Sequence, residues 1–185
     1  MKTITKTMLA LTLVVFASAN LLVTSDSALE DSMKDGYVAD WERAKAYSLE
    51  YIDAMPEDGI NYRPDASVRS FAEQFLHMAQ GNIGLVGNAT GADRIYANVN
   101  LEKETKFHNK QALRDLTVEA YDWCIAAVKN MDMSIAEEMT GPNDNFQFSR
   151  IEWLKKAFEH QTHHRGQTTI YLRMKGVQPP AEKLF

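Results

Sequence analysis

The sequence predicts an all-α protein built as a four-helix bundle. Four long stretches carry apolar residues at helical spacing, and no stretch of any length alternates apolar and polar residues as a strand does. Two of the four stretches begin with a capping box, and prolines or turn-forming residues separate them. The chain has 185 residues, enough for one domain with a core and too few for two ordinary ones. Four helices in one domain most economically form a bundle.

The first 19 residues have the layout of a secretory signal peptide. Two lysines precede the apolar run 8–17, and small residues follow at the two positions that a signal peptidase reads. The run is far shorter than the roughly 20 residues of a membrane-spanning helix. We therefore expect residues 1–19 to be removed and residues 20–185 to form a single domain without a stable membrane anchor. The mature protein would be periplasmic or secreted.

The first two helices of the bundle have clear sequence boundaries. Residues 29–55 carry an apolar stripe, and Pro56 ends that helix because the residue before a proline is pushed out of the helical region. A loop with a second proline follows. Ser70 and Glu73 then form a capping box that begins the second helix. Three glycines predict a looser second half, and the helix is expected to end near Gly91.

The last two helices are separated by a polar connection. Asn109 can cap the third helix, whose apolar period continues to about Met131. Residues 132–148 are polar and contain a clear break, with room for one short helical turn. A second capping box at Ser149 begins the fourth helix, which runs to about Lys175.

Charge and cysteine content exclude several classes of function. The formal net charge is −5 and the chain has no basic run, so nothing favours nucleic-acid binding. The single cysteine, Cys124, cannot form an intramolecular disulfide. It lies in an apolar helical pattern without an electropositive neighbour in sequence, which is typical of a buried core residue rather than a nucleophile.

A histidine cluster in the fourth helix is the strongest functional signal. His160 and His164 are four residues apart and lie about 40° from each other around a helix, where they can bind one metal ion. A single inward histidine is more often a hydrogen-bonded core residue, but two such histidines share one small volume. A zincin would have a glutamate where this chain has Gln161, and a di-iron bundle would need two Glu-x-x-His motifs. A mononuclear site with histidine ligands remains.

The third ligand of such a site has two candidates in the sequence. His77 lies on the capped, amphipathic second helix and can face the interior of the bundle. His108 lies in a polar connection, where we expect a solvated surface residue. Position alone favours His77.

Two patches of sequence resemble a known family. The run 160–167 with the segment 171–180 is similar to the C-terminal helix signature of the DinB/YfiT-like superfamily of candidate metalloenzymes. The segments 62–64 and 70–77 resemble the second-helix signature of the same superfamily. The two patches occur in the expected order, and the resemblance covers the chain from about residue 33 onward.

The resemblance implies both a topology and a site. It implies an up-down-down-up bundle and a divalent metal held by His77, His160 and His164, with water in the open coordination positions. Members often form homodimers, and several are transferases or isomerases in which the metal activates the thiol of a small cofactor. Three imidazoles suit zinc or nickel first, with iron, copper or manganese as further options.

The function expected from these observations is hydrolysis, or group or thiol transfer, on a small molecule at the metal. Glu73, Gln167 and His163 are candidates for groups that support the ligands by hydrogen bonds. No general base is identifiable, because Gln161 occupies the obvious position. A non-catalytic extracytoplasmic module that binds metal or a partner is therefore the alternative.

Overall fold

The computed structural model describes the backbone from residue 2 and the side chains from residue 28 to residue 185. Its four long helices are α1 (Lys2–Ala54), α2 (Phe71–Thr90), α3 (Lys110–Lys129) and α4 (Arg150–Met174). They confirm the predicted all-α four-helix bundle. The predicted signal peptide, residues 1–19, lies outside the described side chains and stays a prediction. Within the described residues, no helix combines the length and the apolar character that a membrane span requires.

Contacts between side chains fix the direction of each helix. Along α1, the contacted residue numbers fall in α3 and rise in α4, so α1 is antiparallel to α3 and parallel to α4. Along α2, the contacted residue numbers in α4 fall, so α2 is antiparallel to α4. The order along the chain is therefore up-down-down-up. The pairs that set these directions are Lys45 with Asp122 and Asp53 with Arg114, Tyr47 with Arg165 and Tyr51 with Thr169, and Gln74 with Tyr171 and Ala89 with Arg150.

Both predicted capping boxes are present and fix the start of the two helices that carry histidines. The hydroxyl of Ser70 accepts from the Glu73 backbone N–H, and the Glu73 carboxylate accepts from the Ser70 backbone N–H. Ser149 and Glu152 repeat the arrangement at the start of α4. Each box satisfies backbone donors that the first turn of a helix leaves free.

The structure differs from the sequence-based expectations in three places. Helix α1 extends beyond the predicted start at residue 29. Helix α2 is continuous through its glycines, because each costs only about 1 kcal/mol against alanine and tertiary packing offsets that cost. The connection before α4 contains the expected short helical turn, a 3-10 turn at Met133–Ile135, and in addition an unpredicted hairpin of two short strands, β1 (Met139–Thr140) and β2 (Phe148–Ser149). Strands of two residues are too short to show an alternating pattern.

An apolar core with one polar network fills the bundle. Trp41 of α1 makes edge-to-face contacts with Tyr121 of α3 and Phe158 of α4, with ring centroids 5.9 and 5.8 Å apart. The Tyr121 hydroxyl also lies 2.8 Å from the hydroxyl of Ser48, and burial raises the pKa of Tyr121 to about 12. The core thus holds α1, α3 and one face of α4 together. The opposite face of α4 packs on α2 and carries the histidines.

Candidate metal centre

Three histidines from two helices meet between α2 and α4. One ring nitrogen from each of His77, His160 and His164 lies within 4.8 Å of the others. The ring centroids are 4.5 to 5.3 Å apart. Separations of this size allow three imidazoles to share one ion at ligand distances near 2.0–2.1 Å after a small adjustment of the rings. The structure therefore brings together the three histidines that the sequence singled out.

The glycine at position 81 lets the fourth helix approach the second at the site. A Cβ atom built on Gly81 would overlap the His160 ring, so the ring lies directly against the backbone of α2. Gly81 is one helical turn after His77, on the same face. A residue that weakens the helical propensity of α2 thus provides the space in which the histidines of two helices meet.

A carboxylate from the connection between α2 and α3 holds His77. Its Nδ1 lies 2.8 Å from Oε1 of Glu102, whose other oxygen accepts from the Nε of Arg69 at 2.7 Å. Burial by itself raises the pKa of Glu102, but the hydrogen bonds from Arg69 and His77 outweigh it, so the net shift is downward. An ionised Glu102 accepts a hydrogen bond from the Nδ1–H of His77, so the lone pair of His77 is on Nε2.

A chain of hydrogen bonds fixes His164 in the same tautomer. The Tyr171 hydroxyl donates to the backbone carbonyl of Arg69 at 2.7 Å, and Nε2 of Gln74 donates to Tyr171 at 3.2 Å. The remaining Gln74 atom, Oε1, can only accept, and it lies 2.9 Å from Nδ1 of His164. His164 therefore donates from Nδ1 and turns the lone pair of Nε2 towards the cluster.

The third histidine is held more loosely. Nδ1 of His160 lies 3.5 Å from Oδ1 of Asn82, at the limit of a hydrogen bond. Burial, followed by the effect of the neighbouring histidines, lowers the pKa of His160 to about 4 and that of His164 to about 3. Both rings are neutral at pH 7, which is the state that binds a metal ion.

The site opens to solvent on the side of His77. The His77 side chain is 31% exposed, whereas His164 is only 8% exposed. A polar cavity of about 560 Å³ lies nearby, and its wall includes Gln74 and Glu102, which contact His164 and His77. A small molecule in this cavity would therefore meet the groups that hold two of the histidines.

Among the described side chains, the residues predicted to support the ligands make no hydrogen bond to the three histidines. The carboxylate of Glu73 caps its own helix and pairs with Arg63, so Glu102 and not Glu73 occupies the place beside His77. Gln167 contacts His163 at 2.8 Å, and His163 is an exposed residue outside the cluster. The physical reason is that capping fixes the Glu73 carboxylate at the N-terminus of α2, away from the inward face of the next turn.

Three further residues differ in part from the sequence-based expectations. His108 is half-buried, and its Nε2 lies 3.1 Å from the Glu102 carbonyl oxygen, so it holds the connection rather than standing free in solvent. Gln161 is fully buried, and its Oε1 accepts from Tyr121 and Arg165, so it belongs to the core and not to the site. Cys124 is buried as expected, and burial raises its pKa, so the side chain stays a protonated thiol.

Sequence reasoning missed Gln74, Asn82 and Glu102. The first two are polar residues at buried positions of α2, and a polar residue on an otherwise inward face is a signal that could have found them. Glu102 lies in a 3-10 turn, Leu101–Lys103, of the connection. Such a segment has no period, so only the tertiary structure places its carboxylate.

The fold and the site together define a class, the four-helix bundles with a cluster of three histidines between two helices. A model of the DinB family matches residues 29–184, nearly the whole of the described bundle. The chain belongs to the DinB family. No curated protein matches it at a significant level.

Solved structures similar to this chain support the fold. A DinB-like protein from Bacillus cereus ATCC 10987 has a TM-score of 0.64 at 14% identity, over 80% of this chain and 97% of its own. A DinB-like protein from Bacillus subtilis has a TM-score of 0.61 at 15% identity, over 81% of this chain and 96% of its own. A conserved protein from Enterococcus faecalis has a TM-score of 0.62 at 14% identity, over 76% and 95%.

Proposed function

We propose that the protein is a metal-dependent enzyme that catalyses hydrolysis, or group or thiol transfer, on a small molecule. The observation that carries the proposal is the set of three imidazoles whose Nδ1 atoms face side-chain oxygens, so that their Nε2 atoms are left for one ion. The ligands are His77, His160 and His164, and zinc or nickel is the metal that we expect first.

The chemistry follows from a site with three protein ligands. A divalent ion bound there acts as a Lewis acid and lowers the pKa of a water or thiol in an open position. Glu102, clamped by Arg69, keeps His77 in the required tautomer, and Gln74 does the same for His164. The partial exposure of His77 leaves this edge of the cluster in contact with solvent.

Metal binding tests the ligand assignment. Metal-free protein without a polyhistidine tag is titrated with Zn²⁺ or Ni²⁺ by calorimetry. We expect one ion per chain, and a loss of affinity of at least about 100-fold in His77→Ala, His160→Ala and His164→Ala. His163→Ala is the matched control, because it removes a neighbouring imidazole outside the cluster. Unchanged stoichiometric binding by His160→Ala, or a comparable loss in the control, would contradict the assignment.

A cobalt-substituted protein separates the enzyme from the non-catalytic alternative. With an open coordination position, the visible bands of bound Co²⁺ shift when azide or a small thiol is added. A closed site would leave the spectrum unchanged and favour a metal-stabilised binding module.

We also propose that the protein is exported from the cytoplasm. The leader of residues 1–19 supports export to the periplasm or the medium. Mass spectrometry of the mature protein tests it, with a chain that begins near residue 20 as the expected result.

A further inference from the structure

A second cleft lies beyond Gly81, on the side of the histidines away from the polar cavity. Its volume is about 530 Å³, within the range of about 300 to 1,000 Å³ that is usual for small-molecule pockets. Its walls are mainly apolar and contain no acidic side chain. The glycines and apolar residues of the wall are Gly81, Gly84, Leu85, Pro142, Phe146 and Trp153, and Asn88, Asn143 and Arg94 complete it.

Helical geometry places this cleft next to the candidate metal centre, between the same two helices. On α2, the spacing of four and then three residues places His77, Gly81 and Gly84 on one face. On α4, Trp153 is seven residues before His160, on the same face and about 10 Å along the axis. The cleft therefore begins about one turn from the histidines and follows the groove between the two helices.

Glycine keeps the groove hollow. A Cβ atom at Gly84 would meet no atom within 4 Å, so the space above it is open. Leu85 lies beside this position on α2, and the ring of Phe146 from the hairpin loop is 56% exposed at the edge of the cleft. An apolar surface that neither the bundle nor the hairpin covers thus lies within about two turns of His77 along α2.

A positively charged side chain, that of Arg94, lies at the rim of the cleft. Nη2 of Arg94 donates to the amide oxygen of Asn88, and its side chain packs over Gly87. Among the side chains described from residue 28 onward, no carboxylate lies within ion-pair distance of Arg94. An anionic group at the rim would therefore find a guanidinium that is not neutralised.

We infer that the cleft binds a small organic anion with a bulky apolar body, which is the substrate class of the site. The apolar body lies between Leu85, Phe146 and Trp153, and the anionic group faces Arg94. The opposite end lies at Gly81, against which the His160 ring packs. This inference rests on the proposed function for its link to catalysis. The binding of the apolar anion itself is a separate property that can be measured without turnover.

Two matched dyes test the chemical class. The probe 8-anilino-1-naphthalenesulfonate is an apolar aromatic anion, and N-phenyl-1-naphthylamine is its uncharged counterpart. We expect zinc-loaded protein to bind one equivalent of either dye, measured by fluorescence titration. Arg94→Gln should weaken the anionic dye by about two- to fivefold and leave the neutral dye unchanged.

Filling the groove tests the location. Gly84→Leu introduces a side chain into the open space and should lower the affinity for both dyes by at least about tenfold. Gly166→Leu is the matched control, because Gly166 lies on an exposed position of α4 and also has no atom within 4 Å of a built Cβ. Zinc stoichiometry should be unchanged in both variants, since neither position belongs to the ligand set.

A paramagnetic metal tests the link to the histidines. Co²⁺ in the site should broaden the proton resonances of bound dye far more than Zn²⁺ does, because the cleft begins one turn away. Dye that binds without such broadening, or that is insensitive to Gly84→Leu, would overturn the inference while leaving the proposed function intact. Dissociation of a dimer by Gly84→Leu would also overturn it and assign the cleft to a second copy of the chain. Failure to bind any metal would instead overturn the proposed function.

Discussion

At the scale of single residues, one glycine decides whether the two helices can share an ion. The His160 ring occupies the space that a Cβ on residue 81 would need. Glycine in a helix interior lowers stability by about 1 kcal/mol relative to alanine. The contact with the His160 ring explains why glycine is nevertheless found at this position. Gly84, one turn further, carries the same cost without any such contact.

This difference gives a matched pair of substitutions. We expect Gly81→Ala to displace His160 and weaken Zn²⁺ binding by about 10- to 100-fold, as is typical when a ligand is held out of place. Gly84→Ala should leave Zn²⁺ affinity within about twofold and raise the free energy of unfolding by roughly 0.5–1 kcal/mol. Competition with a chelator measures the affinity. Equal metal affinities in the two variants would show that His160 does not depend on the missing Cβ.

The two glutamates near His77 make a second pair. Glu102→Ala removes the acceptor that orients His77 and leaves Arg69 without its carboxylate. We expect a loss of about 10- to 100-fold in metal affinity, measured by the same competition. Glu73→Ala should change the affinity little and lower the stability by about 1 kcal/mol, through the lost cap. The opposite ranking would restore Glu73 as the supporting group.

At the level of the helix, capping determines the rotational position of His77 on α2. The Ser70 hydroxyl accepts the Glu73 backbone N–H about two turns before His77. Any slip in the start of α2 would rotate His77 by about 100° per residue and remove it from the cluster. The box therefore sets a functional register as well as a helix end.

Substitution of the cap tests its energetic role. Ser70→Ala should lower the free energy of unfolding by about 1 kcal/mol, whereas Ser70→Gly should cost only a few tenths of that unit. Urea denaturation of the metal-free variants measures both values. Indistinguishable results for alanine and glycine would mean that the hydroxyl contributes by packing rather than by capping.

At the scale of the whole molecule, the buried histidines make stability depend on pH. The ordinary pKa of 6.5 falls to about 4 for His160 and to about 3 for His164 in the folded protein. Between pH 6.5 and about 4 the unfolded chain binds more protons than the folded one. The contribution is therefore fully present above pH 6.5 and is lost as the pH falls.

We expect metal-free protein to unfold at lower urea concentration at pH 5 than at pH 7.5. His164→Gln should reduce this difference, because it removes the group with the larger shift. Equal urea midpoints at the two pH values would contradict the shifts. A variant that is as sensitive to pH as the parent would assign the dependence to other groups.

The fold was predictable because its signals are local. Capping boxes, apolar periods and Pro56 act within a few residues, so they mark helices and their ends without knowledge of the tertiary structure. The two short strands were not predictable. In these segments local preference is weak and packing decides the outcome.

Local patterns in the chain were sufficient to predict the helix content, the placement of His160 and His164 on one face, and the choice of His77 over His108. The groups that hold those rings became visible only in the folded structure. Glu102 comes from an aperiodic connection, and Gln74 acts through a chain that passes through Tyr171. Hydrogen bonds between distant segments depend on how helices dock, and docking has no signature in local spacing. For the same reason only the structure could show that Gly81 provides the space for the site.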